Sequence, residues 1–174
     1  MDGERFADVV VRRAAYSDAA ALCDMWLGLL RHMAALDRRL EISEDAARRW
    51  HADFSVWLRD DGRRILVAEV DGMAAGYVSC RLAWPLPVFR EVVELYLDEL
   101  YVVPQHRRKG LGRRLVEEVT AWSVQHGVRR LRLQTLNLAA DSRSFWTALG
   151  AQPFAVEYVV EVPAADEKGM PGIP

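Results

Sequence analysis

The chain has 174 residues, of which 51% are hydrophobic and 28% are charged, and its formal net charge is −2. These values fit one soluble domain with one core, and they exclude the strongly basic footprint of a nucleic-acid binder. Cys23 and Cys80 lie far apart without metal-ligand spacing, so we expect two reduced, buried thiols and no metal site. The acidic N-terminus lacks the apolar core of a signal peptide, and no apolar run approaches the roughly 20 residues of a membrane span. We therefore expect a cytoplasmic protein without membrane or nucleic-acid partners.

The N-terminal third predicts one strand followed by two helices. The β-branched run at residues 9–11 is typical of a strand, and Ser17 is a candidate N-cap of the first helix. Ser43 or Glu44 opens the second helix. Apolar residues recur at helical spacing in both, which predicts one buried face each. These residues are Leu22, Met25, Trp26, Leu29, Leu30 and Met33 in the first helix, and Ala47, Trp50, Phe54 and Trp57 in the second.

The middle of the chain changes to the periodicity of strands. We expect strands at residues 65–70 and 75–82, joined by Asp71-Gly72, which is a tight-hairpin signal. A loop with two prolines follows at residues 84–89. The extended stretch 91–103 after it predicts a long strand, which Pro104 ends.

The C-terminal part predicts two helices and two more strands. An apolar stripe after Gly112 indicates a helix that Gly127 ends. A strand is expected at residues 128–135, a short helix at 141–149 and a last strand at 154–162. This order predicts one α/β domain, residues 1–163, with a mixed sheet and helices on both faces. The polar tail 164–174 is expected to be disordered.

One stretch of the sequence carries a chemical signal. A strand runs through a glycine turn into a helix N-terminus, where free backbone N–H groups and the helix dipole bind phosphate. Gly110 and Gly112 allow a phosphate to approach the backbone without a Cβ in the way. Positive charge is added by Arg107, Arg108, Lys109 and Arg113. The pattern therefore predicts a pyrophosphate site.

Two common pyrophosphate motifs do not fit this stretch. No Lys-Ser or Lys-Thr follows a glycine, as the P-loop pattern requires. The dinucleotide pattern also fails, because Leu115 stands where its third glycine belongs. The pattern that remains is Arg107, any two residues, Gly110, any residue and Gly112.

This remaining pattern resembles the acetyl-CoA loop of the GNAT N-acetyltransferases, which reads Gln or Arg, two residues, Gly, one residue, and Gly or Ala. The resemblance is specific from residue 98 to residue 150, including Phe145-Trp146 and Gly150, and looser from residue 9 to residue 158. It implies a mixed, mostly antiparallel sheet that splays at its fourth strand. It also implies transfer of an acetyl group from acetyl-CoA to a primary amine in a ternary complex.

The resemblance also implies roles for particular residues. Backbone groups of Tyr101, Val102 and Val103 would hold pantetheine, and the loop from Arg107 through Arg108, Lys109, Gly110, Leu111 and Gly112 to Arg113 would hold the pyrophosphate. Trp146 would pack against the pantetheine arm. Asp98 or Glu99 would remove the proton of the acceptor amine. Because strand alternation sends them to opposite faces, only one is expected in the site, and we favour Asp98. The alternative is that both are ordinary charged strand residues.

The sequence departs from the family at the group that protonates the leaving thiolate. Many relatives have tyrosine where this chain has Trp146, and an indole N–H is no usable acid near neutral pH. Tyr101, Ser142 and Ser144 are weak substitutes. Two readings stay open, an active N-acetyltransferase for a small-molecule or peptide amine, and a GNAT domain that binds acetyl-CoA as a regulatory module. A homodimer is a reasonable expectation from the family.

Overall fold

The computed structural model describes residues 8–84, 88 and 92–160. In these residues the chain forms a five-stranded sheet and four helices. The strands are β1 (Val9–Arg13), β2 (Arg63–Val70), β3 (Met73–Ala83), β4 (Glu94–Val102) and β5 (Arg130–Leu133). The helices are α1 (Ala19–Leu36), α2 (Ala46–Trp57), α3 (Leu111–Val124) and α4 (Ala140–Ala148).

The sheet has the strand order β1-β2-β3-β4-β5, so each strand lies beside its neighbour in the sequence. The first four strands are antiparallel, and β5 runs parallel to β4. The predicted mixed, mostly antiparallel sheet is confirmed. The hairpin is confirmed as well, since Asp71 and Gly72 both have positive φ (52° and 77°), as a two-residue I′ turn requires.

Helices cover the two faces of the sheet. Residues of α1 and α2 pack with Ile65, Val67 and Tyr77 on one face, which we call the α1/α2 face. Residues of α3 and α4 pack on the other face. Cys23 and Cys80 are both free and buried, as expected.

Helix α1 packs one part of its surface against the sheet and α2. With the preceding turn, residues Tyr16–Leu36 are long and apolar enough to cross a membrane, with a mean hydropathy of 1.2. Of the predicted apolar face, Leu22 and Met25 are buried against the sheet and α2 and Trp26 is partly buried there. Cys23 is buried as well, whereas Leu29, Leu30 and Met33 are only half-buried. These residues account for only part of the apolar composition, since 17% of the membrane-length window is buried in the fold.

Two predicted helix starts are wrong by one to three residues. Ser17 lies inside a short 3-10 turn, and Asp18 takes the N-cap position of α1 while its carboxylate accepts a hydrogen bond from Ala15 N–H. Helix α2 begins at Ala46, after Asp45, because Ser43 precedes it in a turn.

The predicted last strand is wrong over residues 154–160, which have no regular structure and are exposed. Its β-branched composition favours a strand, but a strand also needs a neighbour with a free edge in register. Only side-chain contacts hold this segment in the described residues, such as Phe154 over Arg132 (4.8 Å) and Gln134 with Glu157 (3.4 Å). Predictions for residues 85–87, 89–91 and 161–174 lie outside the described residues.

Candidate functional site

Strand β4 contains a bulge where it separates from β5. Glu99 lies opposite Ser79 and Leu97 lies opposite Cys80, so Asp98 is an extra residue without a partner on β3. The pairing between β4 and β5 covers Glu94–Leu97 only. The remainder of β4, residues 98–102, therefore presents an open edge toward β5, at which an extended ligand can hydrogen-bond like an added strand.

The bulge brings both predicted carboxylates to the α1/α2 face. Asp98 pairs with Arg63 and Arg81, at 2.9 and 3.0 Å. Each arginine lies an even number of residues along its strand from a core residue of that face, Ile65 on β2 or Tyr77 on β3, and therefore shares the face. Glu99 accepts a hydrogen bond from the buried hydroxyl of Tyr77 (3.1 Å), which belongs to the same core. The expectation that alternation separates the two carboxylates was wrong, because a bulged residue interrupts the period of two.

The two carboxylates have very different surroundings. Each oxygen of Asp98 accepts from one guanidinium, Oδ2 from Arg63 and Oδ1 from Arg81. Glu99 has no described cation within ion-pair distance, and its main partner is a neutral hydroxyl. Two cations therefore stabilise the ionised form of Asp98, whereas no described ion pair stabilises that of Glu99. Glu99 is the carboxylate of the two that can more readily take up a proton.

The pKa of Glu99 is raised from 4.5 to about 7. Burial is the main cause, and the nearby charge of Asp98 adds to it. Hydrogen bonds from Tyr77 and Trp26 and the positive charge of Arg63 act in the opposite direction. Burial also raises the pKa of Tyr77 well above its ordinary value, so this hydroxyl stays a hydrogen-bond donor. A carboxylate that titrates near neutral pH can accept a proton from an ammonium group.

The loop before α3 forms a cradle of unused backbone donors. Gly110 has a φ of 84° and Arg108 a φ of 62°, and these left-handed residues turn the loop into the helix. The first helical hydrogen bond runs from Arg114 N–H to Gly110 O (3.0 Å). The N–H groups of residues 108–113 donate to no acceptor within the described part of the chain. Such an array at a helix N-terminus binds anions.

The side chains of this loop divide into two groups. Arg108, Lys109 and Arg113 are exposed beside the cradle. Arg107 instead donates from Nε to Val102 O (2.8 Å), and its guanidinium lies 5.3 Å from the centre of the Tyr101 ring. Arg107 therefore braces the end of β4 against the loop, a contact that the sequence pattern did not indicate.

Some of the predicted pantetheine contacts are used within the protein. Val103 N–H donates to Ala75 O (3.0 Å), and Val102 O accepts from Arg107. Close packing also holds Tyr101, because a Cβ on Gly28 would lie 2.8 Å from its hydroxyl and a Cβ on Gly76 would lie 2.9 Å from its carbonyl oxygen. Sequence reasoning missed Gly28, since an isolated glycine in an apolar helix carries no functional signal.

Trp146 is buried among the residues that pack between α3, α4 and the sheet. Its ring meets Phe145 edge to face, with 5.0 Å between centroids. It is Phe145 that borders the loop, because a Cβ on Gly112 would lie 3.5 Å from its ring. Of the weak substitutes for a general acid, the Tyr101 hydroxyl faces α1, and Ser142 accepts a hydrogen bond from Thr135 (2.9 Å).

The model of the acetyltransferase (GNAT) family matches residues 29–151, which span the open edge of β4 and the whole loop before α3. The chain belongs to this family. It is therefore a GNAT acetyltransferase, as the resemblance of its sequence implied.

Individual relatives agree with this assignment. An uncharacterized N-acetyltransferase of Archaeoglobus fulgidus is 30% identical over 95 residues, which are 55% of this chain and 64% of that protein. The thialysine N-epsilon-acetyltransferase of Bos taurus is 28% identical over 162 residues, 84% of this chain and 85% of the relative. The fold matches that of the aminoglycoside N-acetyltransferase AAC(6')-Iy in complex with CoA, with a TM-score of 0.69 at 19% identity, covering 92% of this chain and 97% of that one.

Proposed function

We propose that this GNAT enzyme transfers the acetyl group of acetyl-CoA to a primary amine by direct attack in a ternary complex, with Glu99 as the general base. The observation that carries the proposal is the conjunction of an unused donor cradle at residues 108–113, an open edge on β4 and a carboxylate with a pKa of about 7 beside that edge.

The cradle and the open edge together fit acetyl-CoA. The pyrophosphate would accept hydrogen bonds from the N–H groups of residues 108–113, with Arg108, Lys109 and Arg113 adding positive charge. Pantetheine would lie along residues 98–102 of β4, where amide groups add as a further strand does. This arrangement would bring the thioester next to the bulge, and hence next to Glu99.

The chemistry then follows from the acidity of the reacting groups. Glu99 accepts a proton from the ammonium form of the acceptor, and the neutral nitrogen attacks the thioester carbon. The carbonyl becomes an oxyanion, which backbone N–H groups at the open edge stabilise. Its collapse breaks the C–S bond and expels the CoA thiolate, which takes up the second proton of the attacking nitrogen. The thiolate is a good enough leaving group (thiol pKa about 8.5) to depart without the family's tyrosine.

The alternative of a regulatory domain without turnover is not favoured. A curated relative is named a thialysine N-epsilon-acetyltransferase, and a protein of the same fold is named an aminoglycoside N-acetyltransferase. A charge-paired carboxylate at residue 99 would have suited a domain that only binds acetyl-CoA, whereas Glu99 lacks such a pair among the described residues. We therefore propose that the acceptor of this enzyme is a small-molecule amine.

A matched pair of glycine variants tests acetyl-CoA binding. Gly110 and Gly127 both have positive φ (84° and 72°), and at both a Cβ would meet nothing within 4 Å. Valine at either position therefore costs about 1–2 kcal/mol of backbone strain without a clash. Only Gly110 lies in the cradle, so Gly110→Val should abolish the stabilisation by acetyl-CoA and Gly127→Val should keep it.

The measurement is the shift in melting temperature on adding acetyl-CoA, which at a hundredfold excess over Kd corresponds to about 2.7 kcal/mol. NAD and ATP serve as ligands that should give no comparable shift. An acetyl-CoA shift that survives in Gly110→Val would refute the cradle, and a normal shift without release of CoA thiol in a broad amine screen would refute acetyl transfer.

A further inference from the structure

A row of basic and aromatic side chains crosses the α1/α2 face beside Glu99. Arg63, Arg81, Tyr96 and Arg132 lie opposite one another on β2, β3, β4 and β5. We call these four residues the arginine row. The row lies next to the bulge, and its members Arg63 and Arg81 hold Asp98.

The arginine row has an excess of positive charge. Asp98 is shared by Arg63 and Arg81. Glu94, which is 2% exposed, is shared by Arg132 and its neighbour Arg130. Counting Arg130 with the three arginines of the row, four guanidinium groups meet two carboxylates in ion pairs among the described residues. Before Glu99 is counted, the described cations therefore exceed the described anions by two. The chain as a whole has a net charge of −2, so this local excess is not a general property of the protein.

Two of these arginines have donors to spare and face solvent. Arg81 donates from Nε to Asp98, and its two terminal nitrogens have no acceptor among the described side chains or backbone groups. Its guanidinium lies 4.8 Å from the centre of the Tyr96 ring and its side chain is 42% exposed. Arg132 uses one terminal nitrogen for Glu94, has the Phe154 ring 4.8 Å from its guanidinium and is 36% exposed. A guanidinium that is fixed by one hydrogen bond and keeps free N–H donors is suited to bind a carboxylate in a bidentate pair.

The register sets the separation along the strand direction between the backbone positions that carry this charge and the base. Glu99 lies opposite Ser79, and Arg81 is two residues farther along β3. Two residues of a strand span about 7 Å. In an extended molecule, about six bonds separate groups that lie roughly 7 Å apart, whereas the amine and carboxyl groups of an α-amino acid are only two bonds apart.

We propose that the arginine row is the anion-binding half of the acceptor site, and that the acceptor is an amine with a carboxylate about six bonds away, as in a lysine-like ω-amino acid. This inference rests on the proposed acetyl transfer. Arg81 binds the carboxylate over Tyr96, Arg132 adds positive charge from β5, and Glu99 receives the proton of the distant amine. Polycationic acceptors such as aminoglycosides are disfavoured here, because their charges meet the uncompensated guanidinium groups.

Pairs of simple amines test the proposal. The acid 6-aminohexanoate and 6-aminohexanamide have the same length and one amine each, and differ in the charge of the far end. We expect kcat/KM to be about 10- to 100-fold higher for the acid, the usual effect of a hydrogen-bonded charge pair. In the series glycine, 4-aminobutanoate and 6-aminohexanoate, the longest acceptor should be best, and neamine should be poorer than all acids that react.

Protein variants separate the arginine row from general effects. The preference is the ratio of kcat/KM for the acid to kcat/KM for the amide. Arg81→Gln should lower this ratio about tenfold or more, and Arg132→Gln should lower it less. An effect of either variant on the base changes both values of kcat/KM alike and therefore leaves the ratio unchanged. Arg48→Gln is the matched control and should keep the preference, because Arg48 is an exposed α2 side chain that pairs with Asp45, away from the arginine row. Melting temperatures establish that each variant folds.

The outcomes distinguish this inference from the function on which it rests. If the amide or neamine reacts as well as the acid, or if Arg81→Gln and Arg132→Gln leave the ratio unchanged while acetyl transfer continues, the arginine row is not an acceptor subsite. If acetyl-CoA binds and no amine is acetylated, the proposed function itself fails and this inference falls with it.

Discussion

Replacing Glu99 by glutamine tests the assignment of the base through both stability and activity. The folded protein holds the pKa of Glu99 at about 7, above the ordinary 4.5. The protonated form is therefore favoured in the folded state, and the free energy of unfolding falls as the pH rises from about 4.5 to 7. The shift corresponds to at most about 3 kcal/mol, and because the side chain is half-buried we expect about 1–2 kcal/mol after screening.

Glutamine has the shape of the protonated side chain and carries no charge at any pH. Glu99→Gln should therefore match the wild type in stability near pH 4 and exceed it by about 1–2 kcal/mol at pH 8, which raises the melting temperature by roughly 3–8 °C. In the same variant kcat/KM should fall on the order of 10²-fold, and the inflection near pH 7 should disappear. Thermal unfolding from pH 4 to 8 and a pH profile of kcat/KM measure the two effects.

Asp98→Asn is the matched control for this experiment. It removes the shared carboxylate of Arg63 and Arg81, so it should lower stability near neutral pH. It should keep the inflection and move it slightly to lower pH, because the charge of Asp98 raises the pKa of Glu99. If Asp98→Asn loses the inflection and Glu99→Gln keeps it, Asp98 is the base, and our reasoning from the ion pairs is refuted.

Two further variants probe the surroundings of the reaction. Tyr77→Phe removes a hydrogen bond that favours the ionised form of Glu99, so the inflection of kcat/KM should move up by as much as about one pH unit while the high-pH plateau is kept; an unmoved inflection would exclude that bond. Trp146→Ala should lower the free energy of unfolding by about 3–5 kcal/mol because the side chain is buried. Trp146→Phe should keep most coenzyme affinity and turnover, and a loss of ~10³-fold in turnover with normal acetyl-CoA binding would instead give the indole N–H a direct chemical role.

The order of the elements and the coenzyme loop could be read from the sequence because local patterns encode them. A turn such as Asp71-Gly72 needs left-handed φ values, and few residue pairs adopt them readily. The apolar spacing of α1 predicted its buried face. The glycines of the loop predicted a backbone cradle, since Gly110 is needed where the chain enters α3 with a φ of 84°. In each case residues within a few positions of one another determine the conformation.

Only the tertiary structure decided which carboxylate faces which partner. The bulge at Asp98 arises from the register between β3 and β4, and strand alternation alone predicted the opposite arrangement. The last predicted strand failed for a related reason, because the composition of residues 154–160 cannot supply a neighbouring edge. The pKa of Glu99 depends on burial by α1 and β3, and the arginine row depends on pairing between four strands. The sequence alone therefore determined the family fold and its coenzyme loop, whereas the chemistry of the acceptor side was set by contacts between residues far apart in the chain, whose register and burial no local pattern contains.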